Sequence, residues 1–370
     1  MKVRPLCAVV MAAGHGTRMR SALPKPLHPL CGRPMLLHVL DALSELYVER
    51  AVVVVGHGAE PITKTLQEYG PPDLLIDFVE QRVTRGTADA LSVALTAFPD
   101  DPDLDDADIV VLPGDTPLVR PATLSDLVTE HRESDAAATL LTARPDDPTG
   151  MGRVLRGKDG RVARVVEDAD ATESEREILE VATSIYCFRR GLLAPSLRRI
   201  SPENTKGEYY LSDVVAVLHG TGHKVGALLA DDPSEAVGVN DRAQLAEAEA
   251  ELRRRVNERW MRAGVTMVDP GSTYVDSAVH LAPDVTLLPG TVLQGRTTVG
   301  RGARLGPHTR LVDCVVGDGA TVEHTVAHDA EIGASSVVGP FASLSPGAHI
   351  PPGASTGAFY TARGGDDDGV

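Results

Sequence analysis

The chain has 370 residues, 42% of them hydrophobic but only 4% aromatic, and a formal net charge of −16. That length exceeds one ordinary hydrophobic core and predicts two domains packed mainly by Ala, Val and Leu. The acidic balance excludes a general binder of nucleic acid or anionic membrane, since both need a basic face, so any phosphate-binding site must be local.

In chain order, Leu6 to Met11 is a short apolar stretch that runs into glycines instead of a cleavage site, which reads as a first strand and not a signal peptide. No window approaches the ~18 to 20 apolar residues of a membrane span. Strand-length apolar runs recur at Cys7 to Met11, Ala51 to Val55, Leu74 to Val79, Ile109 to Leu112 and Ala137 to Leu141, with helical patterns between them. This alternation predicts an α/β Rossmann-like domain over residues 1–240, a parallel sheet covered by helices with ligands beyond the carboxyl ends of the strands.

From Asp241 the pattern becomes a charged helix with Leu245, Ala248, Leu252, Val256 and Trp260 on one stripe and Asp241 and Gln244 as a capping pair. It reads as a connector over 241–264, although a surface helix of the first domain would show the same pattern. Val275, Leu281, Leu287, Leu293, Val299, Leu305 and Leu311 then follow at six-residue spacing. After a slip through Val316 and Val322 the register resumes at Ile332, Val338, Leu344 and Ile350. Hexapeptide spacing predicts an all-β coil of triangular cross-section over 265–363, its aliphatic residues pointing inward. The tail 364–370, with Asp366, Asp367 and Asp368, is expected to be disordered. Cys7, Cys31, Cys187 and Cys314 are far apart and lack metal-ligand spacing, which predicts free thiols in a reducing, cytoplasmic compartment.

Chemistry concentrates after the first strand, where Ala12 to Lys25 reads AAGHGTRMRSALPK. Gly14 and Gly16 let backbone amides approach a phosphate, while Arg18 and Lys25 supply charge to balance a triphosphate. A bare GxG is usually only a turn; Thr17, Arg18, Met19 and Pro24-Lys25 make this one far more specific. With Gln81, Gly86-Thr87, Gly114-Asp115, Gly152, Gly207 to Asp213 and Gly238 to Asn240 in that order, the chain resembles the uridylyltransferase half of the bifunctional N-acetylglucosamine-1-phosphate uridylyltransferase/glucosamine-1-phosphate acetyltransferase family. The hexapeptide repeat follows where that family carries its left-handed β-helix, and the resemblance covers residues 5 to 363.

The resemblance implies Mg²⁺-dependent transfer of a nucleotidyl group to a sugar 1-phosphate, with release of pyrophosphate. Arg18 and Lys25 would be catalytic, and Asp115 and Asn240 would hold the metal, oxygen ligands suiting a hard cation. Singly, these last two read as a turn aspartate and a helix-cap asparagine. Ala12, Ala13, Gly14, Gly16, Thr17, Gln81, Gly86 and Thr87 would bind the nucleotide, Gln81 reading the base; a strand-end glutamine is the plainer alternative. UTP is expected and dTTP stays open. Gly114, Gly152, Glu167, Tyr210 and Ser212 would meet the sugar, with N-acetylglucosamine 1-phosphate expected. Ala182 stands where the family has an asparagine and Ala169 where it has a lysine, and losing an amide and a cation removes bonds that select a substrate.

Two rival readings are a nucleotidyltransferase for another sugar phosphate and a non-catalytic nucleotide-binding scaffold. An acyltransferase reading rests on the repeat alone. Acetyl transfer is not expected, because the chain stops before the family's catalytic coils, Ser345 aligns with a family arginine, and Arg363 aligns with its lysine. His324 and His328 precede that motif and read as coil-surface residues. A trimer through the β-helix is implied by the resemblance, with no nucleic-acid or membrane partner.

Overall fold

A computed structural model describes residues 4–56, 58–99, 104 and 106–364. Of the tail 364–370 expected to be disordered, Gly364 is described in a turn, and 365–370 lie outside the described residues. Contacts divide the chain into two compact units, Met1–His28 with Pro34–Gln244, and Pro29–Arg33 with Leu245–Val370.

The first unit is built on a mixed sheet. Its strands lie in the order Val225–Leu229, Ala138–Ala143, Val181–Arg189, Asp108–Pro113, Leu6–Ala12, Arg50–Val55 and Ile76–Glu80. Leu6–Ala12 is central and parallel to both its neighbours. Alternate residues of this strand enter different cores, as the two-residue period of a strand requires. Leu6, Ala8, Val10 and Ala12 pack with helices Met35–Ser44 and Pro121–Glu133. Cys7 and Val9 pack with Thr87–Leu95, Arg190–Leu197 and Asp213–Gly220. A strand covered on both faces reads as a continuous apolar run, which is why the sequence reveals it.

The sheet is mixed, where the alternation of strands and helices predicted a parallel one. Val181–Arg189 runs antiparallel to both Asp108–Pro113 and Ala138–Ala143. The chain before it makes a hairpin, Arg153–Arg156 against Val162–Val166, where a parallel return would need a crossover helix. The loop after Ala12 also differs from a helix-opening turn, because only single turns at Thr17–Met19 and Lys25–Leu27 precede the first α-helix at Met35.

In the second unit, three parallel sheets of five, six and five short strands stack into the left-handed β-helix. Leu287 pairs with Leu305, three repeats on, and Val299 with Val316. Every aliphatic position of the repeat from Val275 to Ile350 is buried. The slip after Leu311 is resolved by Ala327, which is fully buried and pairs with both Leu311 and Leu344. Buried Thr291 and Thr297 donate to carbonyl oxygens of Leu288 and Gln294, so the corners carry polar groups into the core without leaving them unbonded. On the outside, the rings of His308, His324, Phe341 and Phe359 follow one another at centroid distances of 5.2–5.8 Å, the first two pairs tilted and Phe341–Phe359 stacked, each residue at positive φ. His324 thus belongs to a corner ladder, and His328 is half-buried at the end of the strand that follows that corner, Val326–His328.

Helix Arg242–Arg262 lays Leu252, Val256 and Trp260 on the β-helix core. Its cap is the Asp241 side chain, whose Oδ1 accepts from the N–H groups of Ala243 and Gln244, both at 2.9 Å, while the Gln244 side chain accepts from Asn240 N rather than from Asp241 as the expected pair would require. Within this unit Glu249 also accepts from the Cys31 N–H at 2.7 Å, and Ser277 donates its N–H to the Cys31 carbonyl. Those bonds account for the placement of Pro29–Arg33 with the second unit.

Candidate functional site

Two loops meet at the carboxyl ends of adjacent central strands. Gly114 donates its N–H to Met11 O at 2.9 Å, and a Cβ there would come 3.0 Å from Leu36 and 3.3 Å from Ala12, so glycine keeps the loops close. Asp115 follows, and its carbonyl accepts the N–H of Val239 at 2.9 Å, which draws the loop before the capped helix over the strand end. That loop is anchored upstream by buried Glu235, which accepts from Arg120 N and Thr123 Oγ1 at 2.9 and 2.6 Å. Downstream, Gln244 Oε1 accepts the Asn240 N–H at 2.8 Å.

The side chains of Asp115, Asn240, Lys25 and Arg18 converge. Lys25 Nζ donates to Asp115 Oδ2 and, at 3.0 Å, to Asn240 Oδ1. Arg18 Nη2 donates to the same Asn240 oxygen at 3.0 Å. Gly16 sits at φ +58°, where a Cβ would lie 2.6 Å from Lys25 Cβ, so glycine is required for the loop to fold onto that lysine. Two oxygens of different loops therefore share one cation, the donor chemistry that a hard divalent ion selects. Among the described residues no cluster of three or more His, Cys, Asp or Glu side chains forms a closed metal cage. An ion held by Asp115 and Asn240 would have to complete its shell with phosphate oxygens and water, as Mg²⁺ does at nucleotide sites.

Gln81 follows the edge strand Ile76–Glu80 and is only 3% exposed. Its Nε2 donates to Asp89 Oδ2 at 2.8 Å and to the Gly86 carbonyl at 3.3 Å. Gly86 has φ +115°, and a Cβ there would lie 2.5 Å from the Tyr209 carbonyl, so no other residue fits. His15 and Thr84 bond at 3.2 Å, joining the glycine loop to the loop after Gln81. Ala12 and Ala13 are buried, and Gly14 is open, with no protein atom within 4 Å of the position of a Cβ.

An open cleft of about 150 Å³ is lined by Met11, Thr87, Glu167, Tyr210 and Ser212 together with Ser184, Tyr186, Lys206 and Glu208. Ser212 donates to Glu167 Oε1 at 2.8 Å, and Leu211 donates its N–H to Thr87 Oγ1 at 2.9 Å. Gly152 lies behind Glu167; a Cβ there would be 2.9 Å from Val165 and 3.6 Å from the carboxylate. Lys206 Nζ stands 6.0 Å from the centre of the Tyr210 ring. Burial, with Asp170 and Glu167 nearby, pushes the Tyr210 phenol up to about 12. Burial likewise raises Asp213 to about 6, reinforced by Glu167 and Asp170, so this wall carries concentrated negative charge.

Arg18, Lys25, Asp115 and Asn240 therefore come together, as do Thr87, Glu167, Tyr210 and Ser212. Thr17 begins an exposed turn beside Arg18. Asp89, Ser184, Lys206 and Glu208 were not singled out from sequence, because an acid in a first helical turn and polar loop residues have ordinary solvent-facing uses. Ala182 is buried in its strand, and Ser184, two residues on at φ +62°, brings a hydroxyl to the cleft.

Residues 8–206 match the model of the MobA-like NTP transferase domain. The chain is 47% identical over 352 residues to the bifunctional protein GlmU of Desulfitobacterium hafniense, covering 95% of this chain and 75% of that protein. It is 48% identical over 330 residues to the Thermobifida fusca bifunctional protein GlmU, covering 89% and 68%, and 46% identical over 362 residues to that of Mycolicibacterium vanbaalenii, covering 98% and 73%. With a nucleotidyltransferase sheet, a β-helix and this degree of identity along nearly its whole length, the chain belongs to the GlmU family of sugar-1-phosphate nucleotidyltransferases.

Proposed function

We propose that the chain transfers a uridylyl group from UTP to N-acetylglucosamine 1-phosphate with Mg²⁺, releasing pyrophosphate. The observation that carries this reading is the convergence of Arg18, Lys25, Asp115 and Asn240 at the carboxyl ends of the central strands, in the unit that also holds buried Gln81 and the Glu167–Ser212 cleft. Bound by Asp115 and Asn240, the metal would supply charge neutralisation to the triphosphate.

The protein's own contribution is position and charge. Ala12, Ala13, Gly14, Gly16 and Thr17 form the loop along the phosphates, Gly14 leaving its backbone open to an oxygen. Gln81 and the backbone at Ala13 and Gly86 hold the base. Lys25 and Arg18, now satisfied by Asp115 and Asn240, carry the donors that offset charge on the α-phosphate as the sugar-phosphate oxygen attacks and pyrophosphate leaves. That nucleophile is ionised at neutral pH, so no protein base is required. Glu167 and Ser212 accept and donate to sugar hydroxyls, with Tyr210, Gly114 and Gly152 shaping the wall. Lys206 offers a cation and Ser184 a hydroxyl in the cleft, which supports a sugar-phosphate site despite the losses at Ala169 and Ala182.

The catalytic domain is assigned to 1–240, the connector to 241–264 and the β-helix to 265–363. We assign the described coils no acetyl transfer, since Ser345 offers no charge where the family has arginine. Four buried, unpaired cysteines support a reducing cytoplasm. Among the described residues no helix is long and apolar enough to cross a membrane. Outward-facing Val315, Val326 and Val337 support assembly of the β-helices into a trimer. Light scattering should then give three times 39.1 kDa, and a monomer mass would remove the assignment.

Pyrophosphate release tests the reaction, crossing UTP, dTTP, CTP, ATP and GTP with N-acetylglucosamine, glucosamine and glucose 1-phosphates. UTP with N-acetylglucosamine 1-phosphate should give the highest kcat/KM, and acetyl-CoA should release no thiol. Highest activity with another sugar phosphate would move the assignment to that substrate. No turnover by folded protein would favour the scaffold.

A further inference from the structure

Both hydrogens of the Gln81 amide are committed inside the protein, one to the Asp89 carboxylate at 2.8 Å and one to the Gly86 carbonyl at 3.3 Å. An aspartate carboxylate and a backbone carbonyl only accept. Turning the amide over would set its oxygen against two acceptors at those distances, in a site where Gln81 is 3% exposed and no water could separate them. The network therefore admits one orientation, and Oε1 is the part of the side chain still able to pair with a ligand. Asp89 can hold this place because it lies in the first turn of helix Thr87–Leu95, where the helix dipole favours a carboxylate.

We propose that Asp89 is a positioning residue that fixes Gln81 as a hydrogen-bond acceptor, so that the site takes a pyrimidine with an imide N–H and turns cytosine away. The inference rests on the reading above that Gln81 meets the base. Uracil and thymine present an N–H at ring position 3, which Oε1 accepts. Cytosine presents a lone pair there, and two acceptors face each other. An unanchored glutamine could turn over and donate to that lone pair; Asp89 removes the option. Selection thus comes from denying the wrong base a partner, the kind of discrimination a buried polar site performs best. It does not separate uracil from thymine, whose pairing edges are the same.

The test is kcat/KM for UTP and for CTP, at fixed sugar 1-phosphate, in the wild type and in the Asp89→Asn and Asp89→Ala variants. Without the carboxylate the preference for UTP should fall by about tenfold, chiefly through a gain with CTP. A residue that merely steadied the helix would lower both values together, and an unchanged ratio in variants of a UTP-preferring wild type overturns the inference alone. A wild type with no preference overturns the reading of Gln81 as well. The near-isosteric Asp89→Asn guards against misfolding. Thermal stabilisation by UTP against CTP gives the same ratio without turnover: wild type should favour UTP and the variants should lose the difference.

Discussion

Replacing Asp115 by alanine is expected to lower kcat/KM for pyrophosphate release by at least about a thousandfold, the scale on which a metal ligand or a preorganised charge acts in phosphoryl-type transfer. The carboxylate has two tasks in the proposed mechanism. It supplies a metal oxygen, and it holds Lys25, whose ammonium otherwise bonds only Asn240 in this cluster. The fold should be unaffected, because the Asp115 side chain is 24% exposed and the backbone bond from Val239 goes to its carbonyl. Lys25→Ala should lose about a hundredfold while retaining Mg²⁺-dependent thermal stabilisation by nucleotide, which Asp115→Ala should lose. Near-wild-type activity in Asp115→Ala would remove the metal assignment.

The second large effect is on stability and lies at the opposite end of the same strand. Asp108 begins the strand that Asp115 follows, and its side chain is 0% exposed. Arg4 Nε lies 3.0 Å from one oxygen and Arg132 Nε 2.8 Å from the other, with buried His131 at 3.4 Å. Removing one partner of a buried ionic cluster costs about 3–5 kcal/mol, because the remaining charges lose their compensation. Asp108→Ala should therefore lower the unfolding transition of the first unit by on the order of 10 °C, with Asp108→Asn intermediate.

This cluster also sets an acid dependence. Burial would raise the Asp108 carboxyl, but His131, Arg132 and Arg4 outweigh it and hold it below the usual range. A group with a depressed folded-state pKa stabilises the fold above its unfolded value of about 4, and that contribution disappears as pH falls through the folded value. Wild type should lose stability on acidification below about pH 4 more steeply than Asp108→Asn. Parallel acid-unfolding curves would show that the cluster contributes no net charge stabilisation.

Much of this was legible along the chain, for identifiable reasons. Strands buried on both faces must be apolar throughout, so Leu6–Ala12 and Arg50–Val55 stand out, whereas Val162–Val166, with Arg164 in its middle, does not. The hexapeptide register was visible because its inward positions are large aliphatics. Ala327 escaped because a small residue in a shortened coil looks like a turn. The glycine loop, Asp115 and Asn240 were recognisable as an ordered series, although 125 positions separate the last two.

The two kinds of periodicity, and with them the α/β domain, the β-helix and the residue types available for phosphate and metal, were already set along the chain. Those depend on local spacing and on which side chains must leave water. Tertiary structure alone decided what those groups do to one another. It turned Val181–Arg189 antiparallel through the preceding hairpin, moved Pro29–Arg33 to the second unit through Glu249 and Ser277, and brought Lys206 and Ser184 to one cleft. It also committed the Gln81 amide to Asp89, because the orientation of a side chain is set by the acceptors packed around it in space, not by its neighbours in the chain.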